Sequence, residues 1–284
     1  MKFKKLVSLS ASLVMCASMI TGCSSKSENE GASDTSTISI GMVLGEGSVN
    51  DESFNQATWE GLQQAKEDFG IDVKYLESKQ ESDYIQNIET LIDEETDLII
   101  GVGYQLKDAI DESAKNYPEQ QFALIDAVCE GEQPENVTSL LFEDNASAYL
   151  TGLIAGRMTE TNKVGFIGGM EIPSVTGFKD GFERALKEEN PNIKLLTQYA
   201  NSFTDGAKGK AIAQQMIKDN ADIIFTAGGG VNNGAWEACV EAGIKAIGVD
   251  MPSSQFSPSI ITSALKRVDV GVESVIKDLV DGKF

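Results

Sequence analysis

Histidine is absent from all 284 residues. Its absence removes the usual imidazole base of hydrolytic triads and the commonest side-chain ligand for zinc or copper. Any catalysis would have to run on carboxylates alone, which lowers the expectation of an enzyme. Positive charge is scarce, with 23 Lys and Arg against 44 Asp and Glu and a net charge of −21. Such a surface repels phosphate backbones and argues against nucleic acid as a polymeric partner. Long hydrophobic runs are also missing. The longest, over residues 6–20, is too short to span a bilayer as a mature helix.

That run is informative for another reason. Lys2, Lys4 and Lys5 precede it and "ITGC" follows it, ending at Cys23. A positive start, a short apolar stretch and a small residue before a cysteine describe a cleaved signal over 1–22. The ending resembles a bacterial lipobox, in which Cys23 is lipidated and becomes the first residue of the mature chain. An ordinary signal peptide with an accidental cysteine would need no polar stretch directly after it, and "SSKSENEGASDTS" is one. Residues 23–36 therefore read as a lipidated cysteine and a flexible tether, reaching roughly 20 Å. Two acyl chains on Cys23 are what lasting anchorage requires, so the partner on this side is the membrane, at its extracytoplasmic face. Of the four cysteines, Cys129 and Cys239 remain in the folded part. A bridge between them would lock two lobes together, and free buried thiols are the expectation.

The body alternates short β-rich runs with helical periods. "TISIGMV", "DVKYL", "DLIIGV", "FALID", "VTSLLF", "KVGFIGG", "KLLTQYA", "DIIFTAG", "KAIGVD" and "SIITSAL" read as strands. Between most of them lie amphipathic stretches such as "DYIQNIETLIDEE" and "VTGFKDGFERALKEE". Buried runs of this length separated by helices predict βαβ units and parallel sheets covered on both faces. The pattern has a seam after "LLFED", where a second βα series opens. The spacing predicts two doubly wound α/β lobes, one from 37–143 with 265–284 and the other from 144–264, with a cleft between them.

Strand endings point to what the cleft does. "FALID" ends at Asp126 and "AIGVD" at Asp250, while "DIIFTA" runs into Gly228, Gly229 and Gly230. Open parallel sheets take ligands at the carboxyl ends of their strands, where helix amino termini also point. Aspartates can accept two hydrogen bonds from a vicinal diol or from a ring N–H beside an amine. The bare backbone of the glycine run lets N–H groups approach a ligand, and Lys266 after "ITSAL" can donate to a hydroxyl and offset the charge of Asp250. Each has a plainer reading: a cap, a turn glycine, a solvated lysine. In "GEGSVNDESFNQATWEGL", Phe54 falls in phase with Ala57, Gly61, Leu62, Ala65 and Phe69, so a core role is as good a reading as a ligand platform. Asp51 reads as an N-cap, and Asn55 and Trp59 sit on a neighbouring stripe. Phe203 occupies the matching strand-to-helix junction of the second series, beside Asp205. Two rings from facing lobes can sandwich a flat heterocycle, although sugar sites use aromatic platforms too. No P-loop follows "AGGG" and "GFIGG" lacks the dinucleotide spacing, so no cofactor and no metal are expected.

The blocks "NDESFNQATWEGL", "FALID", "AYLTGLIAG", "VGFIGGM", "GKAIAQQM", "ADIIFTAGGG", "AIGVD" and "ITSALKRVD", in this order, resemble the basic membrane protein family of bacterial nucleoside-binding lipoproteins. These are substrate-binding proteins of ABC transporters, also called purine nucleoside receptors. The resemblance implies a periplasmic-binding-protein type I fold of the sugar-binding kind, with three crossing strands, a purine or pyrimidine nucleoside clamped between the lobes, and a permease as partner. Carried onto this chain, it implies that Phe54 and Phe203 stack on the base while Asn55 and Asp126 hydrogen-bond it. Gly228 and Gly229, Asp250 and Lys266 would hold the ribose. Two departures stand out. Gly45, followed by Glu46, occupies a position where the family often has an acidic residue contacting the base. The chain also stops at "DGKF", where such proteins usually continue into a glycine-rich tail. Competing readings are a sugar or small-signal receptor on the same fold, a non-transport surface or regulatory lipoprotein, and a nucleoside-cleaving enzyme using the aspartates.

Overall fold

The computed structural model describes residues 37–284. The leader, Cys23 and the tether expected from the sequence lie outside the described residues. From Thr37 onward the chain forms one unit built from two five-stranded parallel sheets.

The first lobe contains β1 (Ser39–Glu46), α1 (Phe54–Phe69), β2 (Asp72–Ser78), α2 (Asp83–Asp93), β3 (Leu98–Val102), α3 (Lys107–Asn116), β4 (Gln121–Ile125) and β5 (Val137–Leu140). The second contains α4 (Asp144–Met158), β6 (Lys163–Gly168), α5 (Pro173–Glu189), β7 (Lys194–Tyr199), α6 (Gly206–Lys218), β8 (Ile223–Ala227), α7 (Val231–Ala242), β9 (Lys245–Asp250) and β10 (Ile260–Leu265). The last helix, α8 (Val268–Val280), returns to the first lobe and packs on α1.

All ten runs read from the sequence as strands are strands. The period of two explains why. In β1, Ile40, Met42 and Leu44 join one core with α1 and α8 residues, while Val43 joins another with α2 and α3 residues. Every residue of β3 and of β8 is buried, because helices cover both faces of their sheets. Edge strands β2 and β7 carry exposed polar residues instead, which discourages pairing with another chain. Cys129 and Cys239 lie buried in different lobes, both free.

The strand orders are β2-β1-β3-β4-β5 and β10-β9-β8-β6-β7. Renumbered within its own lobe, the second sheet repeats the first: 2-1-3-4-5 in each. In that topology the connections run to opposite faces on either side of the first strand, which opens a crevice between the first and third strands at their carboxyl ends. For these lobes the crevices fall between β1 and β3 and between β6 and β8. The chain passes between lobes at residues 141–143 and again at 266–267. The resemblance implies a third crossing; the described residues contain these two.

Candidate functional site

A cavity of about 320 Å³ lies at those carboxyl ends, at the small end of ligand pockets, which run from roughly 300 to 1,000 Å³. Phe54, Asn55, Asp126, Phe203, Gly228, Gly229, Asp250 and Lys266 all line it. These residues are dispersed over more than two hundred positions of sequence, and the paired topology brings them to one place.

Phe54 forms part of the first-lobe wall. It begins α1 and is half-buried, packed partly against the first-lobe core. The core reading therefore holds, and the same ring also lines the cavity. Asp51 caps the helix, accepting N–H groups of Ser53, Asn55 and Gln56 at 2.9, 3.1 and 3.1 Å. Burial pushes its carboxyl up to about 6, against the lowering effect of those N–H groups. Because Asp51 takes the cap, the Ser53 hydroxyl is released to donate across the cleft to Asp250 Oδ2. The Asn55 amide donates to the Ser48 carbonyl at 3.1 Å, which pins the entry loop and leaves Oδ1 as its acceptor. Trp59 turns away and meets Tyr75 edge-on at 4.9 Å.

From the second lobe, Phe203 enters before α6, whose cap is Asp205, accepting the Lys208 N–H at 2.9 Å. The Phe203 carbonyl accepts the Gly230 N–H at 2.9 Å, which ties the aromatic loop to the glycine turn. Gly229 sits at φ +57°, a conformation that favours glycine. The Gly228 N–H is committed to Asn232 Oδ1 at 2.9 Å, so Gly228 offers a bare Cα rather than a donor.

The floor is charged. Asp126 and Asp250 end equivalent strands of the two lobes, and both adopt positive φ, 63° and 65°. Aspartate tolerates that region better than most residues, but at some cost, and such strain clusters where side chains must be aimed. Lys266 Nζ lies 2.5 Å from Asp126 Oδ2 and 2.9 Å from Asp144 Oδ1. The second contact lies off hydrogen-bonding alignment and is coulombic. The rings of Phe178, Phe54 and Phe142 surround the ammonium with centroids 5.1, 5.4 and 5.6 Å away. Burial pulls the Lys266 ammonium down, but Asp126, Asp144 and Asp250 together hold it above its ordinary value. Burial drives Asp250 up to about 7 in spite of Lys266 and Ser53; Asp144 rises to about 6 for the same reason.

Sequence reasoning sets Asp126 at the base and Lys266 at the ribose, whereas the structure joins the two directly. It does not single out Ser53, Gln105, Asp144 or Phe178. Ser53 and Asp144 read as helix starts, and Phe178 has the period of an ordinary core residue in α5. Gln105 follows β3 in a stretch with no motif. Among the described residues, no group of three or more Asp, Glu or Cys is placed to hold a metal, and no helix is long and apolar enough to cross a membrane.

Comparison with known proteins gives a consistent result. The Bmp family model, described as "ABC transporter substrate-binding protein PnrA-like", matches residues 38–284. The "CD4+ T-cell-stimulating antigen" of Listeria innocua is 36% identical, over 99% of this chain and 85% of its own. The "ABC transporter nucleoside-binding protein BmpA" of Lactococcus lactis subsp. cremoris is 34% identical, over 99% and 86%. Among solved structures, an ABC transporter system solute-binding protein from Aeropyrum pernix K1 superposes with a TM-score of 0.82 at 31% identity, covering 87% of this chain and 72% of that one.

Proposed function

This chain belongs to the Bmp family of PnrA-like ABC transporter substrate-binding proteins, and on that premise we propose that it binds a nucleoside, purine favoured, in the cavity between its lobes. Proteins of this kind capture a ligand and hand it to a transporter permease; they carry out no chemistry on it. The observation that carries the reading is the pairing of two aromatic rings from opposite lobes, Phe54 and Phe203, in one cavity with a carboxylate and ammonium floor. Stacking on a base contributes about 1–3 kcal/mol per ring removed. Asp250 is an acceptor for ribose hydroxyls, with Lys266 as donor beside it. Asn55 Oδ1 and Asp126 Oδ1 remain as acceptors for the heterocycle.

The lobes would close on the ligand by a hinge motion. Lys266 lies in the second crossing and Phe142 in the first, so the ammonium and that one ring would sit at the pivot. The relative named as nucleoside-binding supports the ligand class. The lipobox ending at Cys23 supports anchorage at the extracytoplasmic face of the cell membrane. In Cys23→Ser, labelled palmitate incorporation should disappear; persistent labelling refutes the anchor.

Calorimetric competition separates a nucleoside from a sugar. Purine and pyrimidine nucleosides are titrated against free ribose, hexoses and free bases. Binding of a nucleoside, with pentoses and hexoses silent, is the expected result. Binding of free sugars in place of nucleosides overturns the proposal, as does release of free base during the titration.

A further inference from the structure

The cavity has a second polar wall, at the tips of β1 and β3, distinct from the charged floor. Gly45 and Gln105 face each other there, both lining the cavity. A Cβ built on Gly45 would lie 2.5 Å from Gln105 Oε1 and 3.4 Å from Gln105 Cβ. The glutamine side chain therefore fills the space that any side chain at position 45 would take. Gly103, two residues before Gln105, stands against the Phe54 ring, its would-be Cβ 3.4 Å from Cε1. The amide is thus carried on the same short turn that abuts the aromatic platform. The ammonium and the carboxylates it pairs with come from the other direction, after β10, β4 and the first crossing.

We infer that Gln105 reads the edge of the ligand's heterocycle, and that it sets a relaxed specificity among purine nucleosides. This rests on the nucleoside reading above. The chemistry follows from the donor and acceptor inventory. A carboxylate presents acceptors only, and two of them match a pair of adjacent donors, as on the N1–H and 2-amino edge of guanine. An amide presents one acceptor beside one donor, and a half-turn about its terminal torsion exchanges them. It therefore pairs with any edge that sets a donor beside an acceptor: the 6-oxo and N1–H of hypoxanthine or guanine, or the 6-amino and N1 of adenine. Glycine at position 45 adds no side chain to compete for that edge, and Glu46, next along at the tip of β1, lines the cavity from an exposed position. The site accepts both oxo- and amino-purines.

The test titrates guanosine, inosine and adenosine into the wild type, Gln105→Glu and Gln105→Ala. The wild type should bind all three within roughly tenfold of one another. Gln105→Glu should move the guanosine-to-adenosine affinity ratio toward guanosine by roughly tenfold or more, the discrimination expected of one bidentate pair. Gln105→Ala should weaken all three without reordering them, and its side chain lies outside the core, so it keeps the test open if the added carboxyl disturbs the loop. Unchanged affinities in Gln105→Ala overturn the assignment, as does a wild-type preference above roughly a hundredfold for one purine. Failure of the wild type to bind any nucleoside overturns the nucleoside reading itself, a different result from binding that ignores position 105.

Discussion

At Asp250 burial outweighs a neighbouring ammonium and a donated hydroxyl, and the carboxyl is pushed from 3.8 to about 7. The linkage has a definite sign. Between about pH 4 and 7 the folded chain keeps this proton while the unfolded chain has released it, so stability falls as pH rises through that window. Asp51 and Asp144, each raised to about 6 by burial, add to the same trend. The ligand-free protein should therefore melt at a higher temperature at pH 5.5 than at pH 8. An asparagine in place of Asp250 would keep the positive φ and accept the Ser53 hydroxyl without the charge. Asp250→Asn should raise the melting temperature at pH 8 by a few °C and flatten its pH dependence, while losing ligand affinity. Calorimetric scans of both proteins across the range check this, and a lower melting temperature for Asp250→Asn at pH 8 contradicts it. Such a residue is legible in sequence only as a strand-end aspartate. The type and the position are there in "AIGVD"; its proton affinity is set by Lys266 and Ser53, which arrive from other elements.

Among the elements, the clearest junction is α1 against α8. Gly61 sits on the buried stripe of α1, and a Cβ there would lie 2.7 Å from both Cα and O of Asp269. Those are backbone atoms and cannot swing aside. Alanine is the better helix former by roughly 1 kcal/mol, yet overpacking costs about 1–3 kcal/mol, so Gly61→Ala should lower stability to urea. A midpoint unchanged or raised would show that the two helices can part. The same junction shows why strands are easy to read and contacts are not. The alternation of Ile40, Met42 and Leu44 with Gly41 and Val43 reports a strand by itself, as does the unbroken apolar run of β3. That Gly61 meets Asp269, or that Asp51 frees Ser53 for Asp250, depends on which helices share a face, and local period carries no record of that. The seam near residue 144 is visible because a βα series restarts there.

For the whole molecule, the two sheets share one strand order and set their crevices toward a common cavity. That duplication explains the symmetry of the lining. An aspartate at positive φ and a glycine-bearing turn occur at equivalent strand ends of both halves, whereas the phenylalanines do not. Phe54 follows the first strand of its lobe and Phe203 the second strand of its own, which corrects the matching junction expected from the sequence. The duplication also explains why so many lining residues are legible in the sequence: equivalent strand tips repeat the same signals. Gln105 lacks such a counterpart, and no local pattern marks it. The arrangement predicts a single ligand pose, which a crystal structure of the protein grown with guanosine tests most directly. The purine should lie between the rings of Phe54 and Phe203, with its ribose hydroxyls on Asp250 and Lys266. A nucleoside bound elsewhere, or in this cavity with either ring turned away from the base, would contradict the account.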